Sequence, residues 1–573
     1  MPRPIPLSEG REPPKLELLC FPEREYFNSN SRMKESNHPT AATSRLALSL
    51  TVFLFALSPA CAGHGEDARA LAETLVARDM MHRDVFPVGH FGMLLEDVET
   101  SDDGTISITT TGARFKIHPA DSTIECHQRL GRERHCATLT FSPDTFDGLR
   151  HVPPTTGAAI WKMPAGTLRI NGDSLLQFAP DQSTANVQIE LHFNPEWNRS
   201  AGFNWLKLDN YGGLGVFVIG RAYRPVEPGG REIELEIAPG LTGEVLWVSI
   251  APPRPFHWEE SVNDHYYSQY FISRRPGREP EGKAFPTEEG LRHWQDYWGA
   301  NHFIVHNPLE IWQNWQVAYD VHEGDEALHR TIADAHKIGM RVLVYASPLY
   351  YVKGTPVEEL ALRRRRHYAE TDERVYGAGW PWGDNIDMFL AEIKRLLDRF
   401  DLDGLYYDNL YPESLVQSYR VMRETRRMLG PDRKLVIHTT WSEPFFSSAV
   451  FCPTTDAYCN ISYRGEDDPG LATKEKQDWM RYVVGAFNVS NAIGSPTFNK
   501  VPVDQLNDAF MNLMLDTCSR LICQDHTQNL DVYRAALEKT YHRPGLADLE
   551  ALKARVERLM AERQEAWEAA HSK

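Results

Sequence analysis

The chain has 573 residues, of which 42% are hydrophobic and 24% charged, and a formal net charge of −18. That balance excludes wholesale disorder, the acidity argues against a phosphate-backbone partner, and the length is enough for several domains of roughly 100–200 residues. No apolar run reaches the roughly 18–20 residues that cross a bilayer as a helix, which excludes a polytopic helical membrane protein.

Residues 1–45 are polar and lack periodicity. Arg45 then precedes the apolar block Leu46–Leu57, which is followed by Ser58-Pro59-Ala60-Cys61-Ala62. A basic flank, a short apolar core and small residues predict a secretory signal peptide cleaved after Ala62, with Met33 as a conventional start, and hence a periplasmic or secreted protein. Cys61 offers a lipid anchor as the alternative, and an uncleaved N-terminal anchor is the bland one. Residues 1–62 are therefore read as an extension and signal peptide.

From 63 to 255, after one short helical stretch, strand patterns dominate. Thr105–Thr109, Ala113–Ile117, Ala137–Phe141, Thr167–Ile170, Val187–Phe193, Glu232–Ile237 and Glu244–Ile250 alternate or are β-branched, and Gly, Pro, Asn and Asp separate them. Many short strands without helices between them predict an antiparallel β-sandwich. Residues 256–290, rich in Pro, Gly, Arg and aromatics, read as a linker. Over 291–535 strands alternate with helices: His302–His306, Arg341–Tyr345, Leu402–Tyr407, Lys434–His438, Ala457–Ser462, Asn491–Gly494 and Arg520–Cys523, with amphipathic patterns at Asp325–Lys337 and Asn385–Phe400. The expected fold class is thus α/β plus all-β, an N-terminal antiparallel β-sandwich followed by a TIM (β/α)8 barrel with one strand unplaced. An open doubly wound sheet is the runner-up. Residues 536–573 read as a C-terminal helix. Six Cys follow residue 62, at gaps that allow disulfides, with buried free thiols equally open.

In such a barrel the residues just past the C-terminal end of each strand face the site. Those positions hold His306, then Trp312 and Trp315; Tyr350 and a loop with Trp380, Trp382 and Asp384; Tyr407 and Asp408; His438 and Trp441; and Arg464 with Glu466 and Asp467. Two carboxylates at one mouth are the minimum for glycoside hydrolysis, so Asp408 is the candidate nucleophile or base and Glu466 the acid, with Asp467 its competitor. Tryptophans would stack on sugar faces, and His438 and Arg464 would hydrogen-bond hydroxyls. Each signal has a bland reading as well. Asp403–Asp408 can be a buried strand with a capping aspartate, Glu466–Asp468 a solvated turn or an oxygen-rich cation site, and His438 a satisfied core histidine. No nucleotide loop, metal motif or nucleophile elbow is present, so neither cofactor nor metal is expected.

Leu402-Asp-Gly-Leu-Tyr-Tyr-Asp408, preceded by an amphipathic helix, resembles the fourth-strand motif of α-galactosidase-like glycoside hydrolase barrels, which implies that Asp408 is the nucleophile. Tyr406-Tyr407-Asp408 stands where that family usually has Lys-x-Asp. The arrangement of His306, Asp403–Asp408, His438–Trp441 and Gly465-Glu466 is also similar to bacterial glycoside-hydrolase-like proteins with a β-sandwich before the barrel. The expected function is an exported glycoside hydrolase with a carbohydrate partner. The alternatives are a non-catalytic glycan-binding protein, or a polysaccharide lyase using Tyr407 or His438 as base.

Overall fold

The computed structural model describes residues 91–155, 157–181, 185–201, 204–209, 211–219, 230–238, 245–257, 264–269, 285–306, 320–321, 324–347, 350–352, 376–378, 384–408, 415–438, 456–463, 490–494, 499, 520–524, 527–528, 530–532 and 535. Residues 1–62, expected to hold a signal peptide, and the expected C-terminal helix 536–573 lie outside the described residues, as do Cys452 and Cys518.

In chain order the strands begin with β1 (Leu95–Thr100), β2 (Ile106–Thr110), β3 (Ala113–His118), β4 (Thr123–Gln128) and β5 (Arg134–Phe141). Next are β6 (Arg150–Thr155), β7 (Ala158–Met163), β8 (Gly166–Asn171), β9 (Leu175–Pro180) and β10 (Ala185–Leu191). β11 (Trp197–Ala201), β12 (Asn204–Asp209), β13 (Gly212–Ile219), β14 (Glu232–Ile237) and β15 (Val245–Ala251) complete two antiparallel sheets, ordered β1-β2-β3-β4-β5-β10-β14 and β11-β12-β13-β15-β9-β8-β7-β6.

The two sheets differ in burial pattern, and the difference explains their packing. In the first, β10 (Ala-Asn-Val-Gln-Ile-Glu-Leu) and β14 (Glu-Ile-Glu-Leu-Glu-Ile) alternate strictly between buried and exposed, so one face meets the core and the other meets water. In the second, every residue of β8, β9, β13 and β15 is buried. Its inner face packs on the first sheet through Ile170, Leu176, Phe178, Val216, Leu246 and Val248. Its other face, with Leu175, Phe217 and Trp247, joins the core that continues into the rest of the chain. Arg134 reaches across the sandwich to Asp209, pairing both carboxylate oxygens and lying over the Phe193 ring.

The remaining elements are β16 (Tyr266–Gln269), α1 (Glu288–Trp298), β17 (His302–Val305), α2 (Asp325–Lys337), β18 (Arg341–Ala346), β19 (Tyr350–Val352), β20 (Tyr376–Ala378), α3 (Asp384–Arg399), β21 (Gly404–Asp408), α4 (Leu415–Leu429), β22 (Lys434–His438), β23 (Ile461–Tyr463), β24 (Ser490–Gly494) and β25 (Arg520–Gln524). β16, β17, β18, β21, β22, β23, β24 and β25 pair in parallel, and β25 returns to β16 to close the ring. Each helix has a physical reason for its place. In α1, the Thr287 hydroxyl accepts from the Gly290 N–H and Gly299 ends the helix in the left-handed region. In α3, Ile386, Phe389, Ile393, Leu396 and Leu397 form one buried stripe.

The expected fold class needs correction. The described chain is mostly β, with two antiparallel sheets and a parallel strand ring, and only four α-helices are delimited among the described residues. It is not the helix-rich (β/α)8 barrel expected from the sequence. The amphipathic patterns at Asp325–Lys337 and Asn385–Phe400 correspond to α2 and α3, and among the described residues helices are delimited at four crossovers, β16–β17, β17–β18, β18–β21 and β21–β22. The strand left unplaced is Tyr266–Gln269, inside the segment read as a linker.

Below the ring, at the strand starts, Lys434 Nζ lies 2.9 Å from Asp264 Oδ2, and the Tyr266 hydroxyl donates to the same oxygen. Burial drives the neighbouring His302 down to a pKa of about 4, against the pull of Asp264, so it is neutral there at ordinary pH. The four described cysteines, Cys126, Cys136, Cys459 and Cys523, are buried thiols that form no disulfide with one another.

Candidate active site

The segment Asp403-Gly404-Leu405-Tyr406-Tyr407-Asp408 contributes a different function at nearly every position. Asp403 Oδ2 accepts from the Val342 N–H at 2.8 Å and lies 2.7 Å from His336 Nε2, tying the start of β21 to β18 and α2. At Gly404 a Cβ would stand 2.3 Å from the Lys434 carbonyl oxygen, so only glycine lets β21 lie this close to β22. Tyr407 faces the helices: its hydroxyl is 2.7 Å from Thr425 Oγ1 on α4, and its ring packs on Phe389 of α3. With Tyr407 outward, pleating turns Tyr406 and Asp408 into the ring of strands.

There the side chains meet across the register. Tyr345 of β18 pairs with Tyr406, Asp408 pairs with His438, and His438 pairs with Tyr463. The His306 ring stacks on Tyr345 at 5.1 Å and tilts against Tyr406 at 4.9 Å, while its Nδ1 lies 2.9 Å from Ser268 Oγ. The Tyr463 ring stacks on His438 at 4.2 Å. The carboxylate is gripped from two sides. The Tyr345 hydroxyl donates to Asp408 Oδ2 at 2.5 Å, and His438 Nδ1 lies 2.7 Å from Oδ1. An ionised carboxylate only accepts, so the pairing places a proton on Nδ1, and the Tyr406 hydroxyl sits 3.1 Å from the same nitrogen.

Burial by itself raises the Asp408 pKa; the charge and hydrogen bond of His438, the Tyr345 hydroxyl and the charge of His306 outweigh it and hold the carboxyl below its ordinary value. Asp408 nevertheless keeps 15% of its side-chain surface open, against 6% for His438. Asp408 is thus an oriented, ionised carboxylate at the C-terminal end of β21, a group chemically able to act as a nucleophile or a base. It is not held as a proton donor at neutral pH.

Of the residues singled out from the sequence, His306, Asp408 and His438 come together in this cluster. Tyr407 does not join them. Tyr350 belongs to the two-stranded sheet of β19 and β20, opposite Ala378, and Asp384 opens α3. Trp312, Trp315, Trp380, Trp382, Trp441, Arg464, Glu466 and Asp467 lie outside the described residues. Sequence reasoning missed Ser268, Tyr345, Tyr406 and Tyr463 as members of the cluster. The parity of Tyr406 with Asp408, two residues apart on one strand, was the available signal. Among the described residues no group of three or more His, Cys, Asp or Glu side chains is placed to hold a metal ion, and no helix is long and apolar enough to cross a membrane.

No family model matches the chain, and no curated protein matches it either. Among solved structures, it is similar to a GH31 dextranase of Flavobacterium johnsoniae complexed with glucose, at 8% identity and a TM-score of 0.38 over 79% of this chain and 68% of that one. A GH31 α-xylosidase from a soil metagenome complexed with xylose gives 8% and 0.37, over 82% and 86%. An α-galactosidase from Thermus thermophilus in complex with stachyose gives 11% and 0.37, over 78% and 96%. These three solved structures are glycoside hydrolases, but likeness at this level carries no argument for activity, and the functional reading rests on the geometry around Asp408.

Proposed function

We propose that the protein is a glycoside hydrolase acting on an oligo- or polysaccharide, with Asp408 as the nucleophile or the base. The observation that supports this reading is the carboxylate itself, held ionised by His438 and Tyr345 at the C-terminal rim of a ring of parallel strands with 15% of its side-chain surface exposed. Glycosidic cleavage needs a second carboxyl group to protonate the departing oxygen. Glu466, with Asp467 as competitor, is the proposed acid; it follows by three residues Tyr463, whose ring stacks on His438. Export is part of the proposal and rests on the basic flank, apolar block and small residues at Arg45–Ala62. Outward packing of Tyr407 removes one of the two bases available to a lyase.

The test is a screen of the purified protein against a panel of polysaccharides, reading released reducing ends. On any substrate found, Asp408→Asn is expected to lower turnover by about 10²–10⁴-fold while the thermal midpoint stays close to that of the unaltered protein. Unchanged turnover in this variant would remove Asp408 from the chemistry. A product absorbing as an unsaturated uronate would replace hydrolysis with elimination. Retention of anomeric configuration would require the two carboxyls at about 5–5.5 Å, and inversion about 6.5–9.5 Å.

A further inference from the structure

The outer face of the second sheet, turned toward α4, carries polar side chains whose bonding within the sandwich is incomplete. Arg169 on β8 and Trp247 on β15 both pair with Gln177 on β9, so the three are cross-strand neighbours. Ser249 lies two residues beyond Trp247 on the same face, and all four are buried. Their hydrogen bonds run in one direction and stop. Arg169 Nε donates to Asn171 Oδ1 at 2.8 Å, and Asn171 Nδ2 donates to Gln177 Oε1 at 3.1 Å. That relay commits the Gln177 carbonyl oxygen and fixes its amide, and Gln177 Nε2 has no partner. Trp247 Nε1 and Ser249 Oγ have none either.

From the other side, α4 supplies a charge. Arg423 is 7% exposed, and its guanidinium lies 4.8 Å from the Tyr419 ring centroid. The Trp247 ring meets the same Tyr419 ring edge-on at 5.2 Å, so indole and guanidinium flank one phenol. Arg423 Nε has no hydrogen-bond partner, and among the described residues no ion pair joins Arg423 to a carboxylate. Asp173 sits at the Tyr419 hydroxyl instead, with its Oδ2 taken by the phenols of Tyr419 and Tyr458. Glu424, next on the helix, is paired with Arg427. Two buried guanidiniums, Arg169 and Arg423, thus share one buried carboxylate, which leaves positive charge in excess.

Buried donors in native proteins are nearly all satisfied by protein, ordered water or an ion, and a buried charge is costly unless it is paired. Here the unpartnered groups are mainly N–H donors beside an excess positive charge. A water answers the hydrogen bonds and leaves the charge; an anion answers both. We propose that the junction between the second sheet and α4 binds a small inorganic anion of the chloride type, held by Arg423, the N–H groups of Trp247 and Gln177, and the Ser249 hydroxyl. The burial of these groups favours a monatomic ion over a sugar acid or a phosphate ester. Asp173 Oδ1, an acceptor without a partner, takes a water. The site does not involve Asp408 and is independent of the proposed hydrolase chemistry.

The test follows the thermal midpoint of the full chain in sodium chloride and in sodium gluconate at equal ionic strength. Replacing gluconate by about 0.1 M chloride is expected to raise the midpoint by about 1–4 °C, because a ligand bound to the folded state alone stabilises it. Arg423→Met, which keeps the length of the side chain and removes its charge, is expected to lose the response. Equal midpoints in the two salts, or an Arg423→Met that responds like the unaltered protein, overturns the proposal. Crystals of the unaltered protein grown in sodium bromide need no variant. An anomalous bromide peak bonded to the Arg423 guanidinium and Trp247 Nε1 supports the site, and water alone in that place overturns it.

Discussion

Asp408 stands under opposing influences, and their balance makes a statement about pH. Burial favours the neutral acid, while the donors Tyr345 and His438 favour the carboxylate and prevail. Removing a donor therefore moves the balance one way. Tyr345→Phe deletes the hydroxyl at Oδ2 and keeps the ring against His306, so the Asp408 pKa rises. If the ionised form is the active one, the acid limb of the activity profile shifts to higher pH, with turnover at alkaline pH affected less. A profile whose acid limb stays put in Tyr345→Phe, on a substrate that Asp408→Asn no longer cleaves, would show that another group sets it. At the same scale, the sequence was informative about residue type and silent about direction. Asp408 and His438 end apolar strands, which is a readable signal, and His306 follows one. Tyr406 and Tyr407 are chemically the same and adjacent, and only their partners, His438 on one side and Thr425 on the other, distinguish a residue of the cluster from one that anchors helices.

Strands with one face in water announced themselves by alternation, and those buried on both faces were legible only where an apolar run marked them, as at Glu244–Ile250 and Arg341–Tyr345. Val187–Phe193 and Glu232–Ile237 announce their sheet by alternation, and the structure bears this out in β10 and β14. The four-residue β16, Tyr-Tyr-Ser-Gln, is buried throughout and lies in a Pro-, Gly- and Arg-rich stretch, so neither period nor punctuation marks it. Its place follows from pairing with β17 on one side and β25 on the other. Register is the other property that periodicity does not specify, and the bulge at Cys126/His127 exists only in the pairing of two strands. Gly404 shows register acting on stability. A methyl group there meets the backbone carbonyl of Lys434, which cannot swing away as a flexible side chain would. Gly404→Ala is expected to separate β21 from β22 and cost about 1–3 kcal/mol. Because Asp408 and His438 sit four residues further along these two strands, the same change should weaken their contact. Chemical denaturation measures the first effect, and a variant as stable as the parent would mean that the strands part without cost.

On the scale of the molecule, the second sheet is the shared wall between the sandwich and the strand ring, and its outer face carries charge as well as apolar surface. Asp173, in the turn between β8 and β9, is 1% exposed, and its Oδ2 accepts from the Tyr419 hydroxyl at 2.6 Å and the Tyr458 hydroxyl at 2.5 Å. Burial and Asp173 raise both phenol pKa values, so the two groups stay protonated and donate. Tyr419 also takes the edge of Trp247 from β15 and lies beneath the Arg423 guanidinium. Beside this cluster, Arg254 donates to the carbonyls of Ala457 and Cys459, and the Phe91 ring receives Arg254 at 4.4 Å and Arg426 at 3.8 Å. Such contacts join the two halves with directional bonds that no water can replace once they are sealed. A buried hydroxyl left without its acceptor costs about 1–3 kcal/mol, and Asp173 serves two of them. Its carboxylate also offsets the buried Arg423 charge. Asp173→Ala should therefore weaken the junction more than either half. In scanning calorimetry the unaltered protein is expected to unfold the sandwich and the strand ring together, and the variant to unfold them in two separated steps, the first at a lower temperature. A single transition at the original temperature in Asp173→Ala would mean that the apolar part of the shared wall, Leu175, Phe217 and Trp247, couples the halves without help from the buried charge.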